Sequence, residues 1–146
     1  MRTAPTSTFR YKLISVPVSL TRRRTKNVGE YLAGQLEKFG AKVYNQYADL
    51  IAYDGTILKS RNIIGAYKPE SKKRILLCAH WDSRPYADND PDPKNHHTPI
   101  LGVNDGASGV GGGCWKSPVQ IQKEQPALGI DIVFFRFGGL WNSRIL

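Results

Sequence analysis

Ile75-Leu76-Leu77-Cys78-Ala79-His80-Trp81-Asp82 runs apolar for five residues, stops at a histidine, and carries an aspartate two positions further on. A short continuous apolar run of this kind is the pattern of a strand buried on both faces. Cys78, inside the run, fits there as a small core residue. Open α/β sheets bind their ligands just beyond the carboxyl ends of their strands. His80 and Asp82 sit at that place if the rest of the chain supplies such a sheet.

Working outward, the pieces of a sheet are present. Leu128 to Phe135 (LGIDIVFF) is a second buried-strand candidate. Val28, Tyr31, Leu32, Leu36 and Phe39 fall on one helical stripe, and Gly40 is a helix stop. Between them, residues 41–69 read as extended pieces, with an Asp54-Gly55 turn signal for a hairpin and Pro69 as a terminator. Residues 83–106 have no period and are rich in Pro, Asp and Asn, which makes a long irregular loop, the kind that often carries function. The expected fold is α/β, three layers (αβα) around a mixed central sheet. Residues 28–146 would form the domain, and residues 1–27 a poorly structured basic arm.

Composition narrows the classes. The chain has 146 residues, 40% of them hydrophobic, enough for one packed domain. Its formal charge is +9, but residues 28–110 hold ten basic and ten acidic side chains, while residues 1–27 hold seven basic and none acidic. The basicity is therefore concentrated in the arm. Thr21-Arg22-Arg23-Arg24-Thr25-Lys26 has no interleaved aromatic or amide readers, so nucleic acid is not expected as a partner. No apolar stretch is long enough to span a bilayer, and no charged-then-apolar-then-small order marks a signal peptide. Two cysteines, Cys78 and Cys114, make neither a zinc knuckle nor a disulfide framework.

The candidate chemistry lies in two pieces. His80 is a possible metal ligand and Asp82 a carboxylate that can orient its ring. A structural histidine bonded to a loop carbonyl is the competing reading. Asp105 stands among Gly102, Gly106 and Gly109, in a turn tight enough to aim a carboxylate inward. Equally, Asn104-Asp105-Gly106 reads as an ordinary turn whose aspartate caps a following helix.

Together, residues 78–111 (CAHWDSRPYADNDPDPKNHHTPILGVNDGASGVG) closely resemble the bacterial zinc-dependent glutaminyl-peptide cyclotransferases, within the M28-type zinc aminopeptidase superfamily. The resemblance covers residues 28–111 and touches 120–135. It implies that Asp105 is a zinc ligand, that His80 is a ligand in two-zinc aminopeptidases and lies near the metal in one-zinc cyclotransferases, and that Asp82 supports His80. Asn95, His96 and His97 resemble the cyclotransferase branch; apart from the resemblance, the two histidines read as loop surface. The implied activity converts an N-terminal glutamine to pyroglutamate with release of ammonia, and the implied partner is a peptide or protein with that terminus. Aminopeptidase chemistry is the alternative. Related bacterial enzymes are often exported, although nothing in this sequence directs export.

The pattern also breaks. The resemblance calls for an acidic pair after the second strand, one general base and one zinc ligand, and for a distant histidine. Here Phe135 is followed by Arg136, and no Asp or Glu follows Asp131. No catalytic acid is therefore assigned. With suitable third bases, codons for residues 136–146 read one base later give Asp-Ser-Glu-Asp-Tyr-Gly-Ile-Pro-Glu-Phe, in which the glycine is forced by Trp141-Asn142. Residues 114–119 and 14–27 can likewise be re-read, the first as an amphipathic helix that Gly111-Gly112-Gly113-Cys114-Trp115-Lys116-Ser117-Pro118 is not expected to form. The expectation is a frame-shifted, prematurely ended cyclotransferase sequence with little activity of its own. Its rival is a short non-catalytic binding protein.

Overall fold

A computed structural model of the chain describes residues 22–51, 55, 57–83, 86–100, 102–114, 116–124 and 126–136, without the side chains of residues 22–25 and 112–114. Helix α1 (Arg22–Lys38) leads into β1 (Lys42–Ile51), β2 (Ile57–Tyr67) and β3 (Arg74–His80). The long loop carries one 3₁₀ turn at Pro93–Asn95. A π-helical turn (Gly109–Cys114) and helix α2 (Lys116–Lys123) follow, and β4 (Gly129–Phe135) closes the series. The four strands form one mixed sheet in the order β1-β2-β4-β3. β1–β2 and β2–β4 pair antiparallel, whereas β3 and β4 run parallel. The α/β class with a mixed sheet is thus the fold of this chain.

The expected hairpin is present: Ile51 pairs with Ile57 and Leu50 with Leu58. Gly55 in the connecting loop has φ 82°, a left-handed conformation that suits glycine. Asp54 lies outside the described residues. Helix α1 buries Val28, Leu32 and Leu36 of the expected stripe, and Ala33 besides, with Tyr31 and Phe39 partly covered. It starts at Arg22, so residues 22–27 of the expected arm are helical, and residues 1–21 lie outside the described residues. Arg and Lys are good helix formers, and a polar helix end needs no apolar stripe to extend.

One core joins the helices to the sheet. Ile63, Tyr67, Ile132 and Phe134 cluster with the α1 stripe and with Ala107, Val110 and Ile121. The register places Ile63, Phe134 and Ala79 in one row, and Gly65, Ile132 and Leu77 in the next. A Cβ on Gly65 would lie 3.0 Å from Leu36, and one on Gly109 would lie 3.2 Å from Ala79. Helix α1 and the π-helical turn therefore cover the same face of the sheet, and the described helices form one layer over it.

That arrangement corrects three expectations. β3 was expected to be buried on both faces, yet Leu76 is 60% exposed and Ile75 46%. Cys78, expected in the core, is exposed. β3 is an edge strand among the described residues, with helices over one face only. β4, in the centre, is the strand that buries Ile132, Val133 and Phe134. Third, residues 109–114 and 116–123 are helical despite four glycines and Pro118. Val110 and Ile121 bury against the core and hold the segment there. Pro118 lies in the first turn of α2, where a missing N–H costs little.

Two arginines pin the strand ends. Arg74, at the start of β3, grips Asp131 of β4 with two bonds, Nε to Oδ2 at 2.7 Å and Nη2 to Oδ1 at 2.6 Å. Arg61 of β2 is buried, a position that demands partners. Its Nη1 donates to Glu30 and its Nε to Asn45, both at 2.8 Å. The Arg61 carbonyl accepts the indole N–H of Trp81 at 3.2 Å. Trp81, 2% exposed, is thereby locked into the core immediately after His80. Among the described residues no helix is long and apolar enough to cross a membrane.

Candidate functional site

The histidine that ends β3 is held at three points. Strand pairing sets its backbone opposite Phe135. Trp81, fixed below, sets the direction in which the chain leaves, its N–H donating to the Phe135 carbonyl at 2.9 Å. The ring itself is set by its Nδ1, 3.0 Å from the backbone carbonyl oxygen of Asp82. A carbonyl only accepts, so Nδ1 carries the hydrogen and donates it. This is the bond of the structural reading of His80, and it also aims Nε2 outward.

Nε2 meets Asp105. The Asp105 Oδ1 lies 2.9 Å from it, with the aspartate side chain 55% exposed and the histidine 27%. Asp105 does not lie at a strand end. It belongs to the turn at residues 103–106 that precedes Ala107. Two glycines bring that turn in. Gly102 (φ 62°) passes so close to Ser83 that a Cβ would sit 2.7 Å from the Ser83 Cβ. Gly106 (φ 91°) would place a Cβ 2.7 Å from the Asp82 carbonyl oxygen and 3.1 Å from His80 Cε1. Sequence reading identified these glycines as turn formers. It did not show that they press the turn against residues 80–83.

Asp82 is buried, and its Oδ1 stands 3.6 Å from His80 Nδ1. The ring nitrogen is thus closer to the Asp82 backbone carbonyl than to its carboxylate. His96 and His97 lie apart from this cluster. His96 Nε2 is 2.9 Å from the Asp90 carbonyl oxygen, and His97 packs edge-on against Tyr86 with ring centres 6.0 Å apart. Asp90 braces the loop, accepting from the Asp92 N–H at 2.9 Å and from Asn95 Nδ2 at 3.1 Å. These bonds hold its carboxyl below the usual carboxylate range.

The facing atoms say what the pair can hold. With the hydrogen on Nδ1, a neutral His80 turns the Nε2 lone pair toward a carboxylate oxygen that is also a pure acceptor. Two acceptors at 2.9 Å are compatible only with a proton or a cation between them. Tetrahedral zinc with bonds near 2.0–2.2 Å separates two ligand atoms by about 3.3 Å, so a small opening of the pair would admit the ion. The donor chemistry, imidazole nitrogen and carboxylate oxygen, suits zinc. Only part of a coordination shell is present, because no group of three His, Cys, Asp or Glu side chains converges among the described residues.

After β4, where an acidic pair is absent, Arg136 is half-buried against the end of the sheet. Burial pulls its guanidinium below the ordinary arginine range, and the charge of Asp82 opposes that pull. Residues 137–146 lie outside the described residues. The involvement of Arg136 has no sequence signal beyond its position after a strand.

Comparison with known proteins adds the following. The profile of peptidase family M28 matches residues 62–137. A glutaminyl cyclase from Bacteroides thetaiotaomicron, solved bound to N-acetylhistamine, is 54% identical over 97% of this chain and 50% of its own, with a TM-score of 0.85. A leucine aminopeptidase precursor from the same organism is 58% identical over 90% of this chain and 47% of its own, with a TM-score of 0.81. A Zn-dependent exopeptidase from Parabacteroides distasonis is 45% identical over 97% of this chain and 50% of its own, with a TM-score of 0.84. The chain spans about half the length of these structures. No curated protein matches it.

Proposed function

Given that the chain belongs to peptidase family M28, we propose that it carries one part of a glutaminyl-peptide cyclotransferase site, acting on peptides or proteins with an N-terminal glutamine. The observation that carries this reading is the 54% identity, over 97% of the chain, to the Bacteroides glutaminyl cyclase. Asp105 would hold zinc through Oδ1, with His80 Nε2 beside the ion; in a two-zinc site His80 would be a ligand as well. Bound there, zinc supplies electrophilic polarisation of the glutamine γ-carbonyl. The Asp82 carbonyl keeps the hydrogen on Nδ1, which leaves Nε2 free to act as a ligand. The glycine turn brings in Asp105, whose side chain stays 55% exposed.

Cyclisation also needs a group that takes a proton from the attacking α-amine and returns it to the departing ammonia. The 146 residues contain no Asp or Glu after Asp131 to serve from the end of β4. Loss of general acid–base catalysis alone costs roughly 10²–10⁴-fold. With a partial donor set as well, the 146-residue polypeptide is expected to turn over negligibly.

A second reading is aminopeptidase activity. It is favoured by the contact of His80 Nε2 with Asp105 and by the 58% identity to the leucine aminopeptidase precursor. Two assays separate the readings: ammonia release from a glutamine-terminated peptide, and amino-acid release from an ordinary peptide, each with and without a chelator. The polypeptide as written should be silent in both. A longer version, with the acidic motif of the neighbouring frame after Phe135 and a full-length continuation, should release ammonia in a chelator-sensitive way. Chelator-sensitive turnover by the 146-residue chain would show that the active site has been misplaced. Amino-acid release without cyclisation by the longer version would establish the second reading.

A further inference from the structure

Strand β1 ends the sheet on the side away from β3 among the described residues, and that edge is unprotected. Proteins usually blunt a free edge with lysine, proline, a bulge or a very short strand. From Val43 to Ile51 there is no lysine, proline or glycine. The strand pairs with β2 one for one over its ten residues, from Lys42 opposite Ala66 to Ile51 opposite Ile57, without a bulge. Its one acidic side chain, Asp49, is already taken by an ion pair with Lys59. β4 pairs with β2 only from Ile63 to Tyr67, so residues 46–51 and 57–62 run on past β4 as a two-stranded ribbon. A ribbon of two strands is marginal in water by itself. This one is also apolar: Tyr47 is 69% exposed, Ile51 79% and Ile57 64%, and Tyr44 and Leu50 are exposed as well.

We infer that β1 is a self-association edge: a second copy of this chain adds its own β1 antiparallel to it, with Tyr47 on the two-fold axis. The strand complements itself in that register. A two-fold axis through an antiparallel edge pair sets residues of the same sheet face opposite each other, which limits the registers. Centred on Tyr47, Val43 stands opposite Ile51, Tyr44 opposite Leu50, and Tyr47 opposite its counterpart. No neighbouring register gives Tyr44, Tyr47, Leu50 and Ile51 apolar partners at once. Asn45 falls opposite Asp49. Its Oδ1 already accepts from Arg61 Nε, which leaves Nδ2 to donate to that carboxylate. Like charges do not meet, because Lys42 lies outside the matched stretch. At their exposures the four apolar side chains of β1 present roughly 450 Å². The backbone edge of nine residues adds to this, which brings the contact to the roughly 600 Å² per partner at which specific interfaces begin. Each copy spends its β1 edge in the joint, so association through it closes at two.

The test is sedimentation velocity of the 146-residue chain across the micromolar range, with circular dichroism confirming the fold of each variant. The wild type should show a monomer–dimer equilibrium. Y47K sets two like charges face to face on the axis, and I51K puts a charge against Val43 at each end. Either should raise the dissociation constant on the order of thirtyfold. L76K, on the opposite edge strand, should change it by less than about threefold. The register has its own test, which alters no apolar anchor. In this register Gln46 faces Ala48 of the second copy, at a Cα separation that a disulfide spans. Mild oxidation of Q46C/A48C, in a chain whose own cysteines are replaced by C78S and C114S, should therefore give a covalent dimer. A wild type that stays monomeric throughout the range overturns the inference. So does an association that L76K weakens as much as Y47K, or one that continues past the dimer and ignores Y47K. Oxidised Q46C/A48C that remains monomeric while the wild type dimerises overturns the register.

Discussion

Gly106→Ala joins the fold to the site in a single methyl group. Gly106 has φ 91°, in the left-handed half of conformational space. A residue with a Cβ is disfavoured there by roughly 1–2 kcal/mol. The methyl would also stand 2.7 Å from the Asp82 carbonyl oxygen, which is backbone and already engaged with His80 Nδ1. His80 Cε1 at 3.1 Å blocks a second direction. Overpacking of this kind costs typically about 1–3 kcal/mol. Together the terms give a destabilisation of about 2–5 kcal/mol, a large share of the roughly 5–15 kcal/mol that holds a domain folded. At about 4 °C per kcal/mol for a chain of this size, Tm should fall by roughly 8–20 °C. Thermal unfolding followed by far-ultraviolet circular dichroism measures it. The His80 Cε1 proton, followed by NMR, reports whether the ring moves. Gly34→Ala is the control. Gly34 lies in α1 with nothing within 4 Å of the added Cβ, so this change should stabilise the chain by roughly 0.5–1 kcal/mol. A Gly106→Ala protein with the wild-type Tm and an unmoved histidine resonance would refute the close approach of the turn to residues 80–82.

Two further outcomes are expected. Arg74 holds the Asp131 carboxyl below the usual carboxylate range, through its hydrogen bonds and then its charge. The stability this contributes is complete above the unfolded aspartate pKa of about 3.9 and is lost as pH falls through the lower folded value. In urea titrations, Asp131→Asn should therefore be less stable than wild type at neutral pH, and the gap should close in acid; a gap independent of pH would contradict the pairing. Tyr67 is buried, and its hydroxyl finds no hydrogen-bond partner among the described residues. Burial pushes its pKa up to about 12. Tyr67→Phe should be neutral or stabilising by up to about 1 kcal/mol, and ultraviolet titration should lose a tyrosine that ionises at about 12. A clear loss of stability would mean that the hydroxyl is satisfied after all.

Local chemistry made several parts of this protein readable from the chain alone. The α1 stripe, the Asp54-Gly55 hairpin signal and the apolar run ending at His80 each state a periodicity or a backbone preference carried by neighbouring residues. The motif residues His80, Asp82 and Asp105 were visible for the same reason, since their types and spacing are local facts. What the chain could not state is which strand lies beside which. β3 and β4 read alike, as continuous apolar runs, yet among the described residues β4 is central and β3 is at the edge, so Leu76 and Cys78 are exposed while Val133 is buried. The helicity of residues 109–114 and 116–123 was hidden too, because Gly and Pro lower local propensity and only the burial of Val110 and Ile121 overrides it. The same division runs through the site. The sequence by itself determined which side-chain types stand at the end of β3 and in the glycine turn. Only the tertiary structure decided that a turn some twenty-five residues beyond His80 folds back to place Asp105 2.9 Å from Nε2, and that the Arg136 guanidinium lies over the Trp81 ring. Burial and charge act across space, and the residues that meet there are set by the packing of the whole sheet.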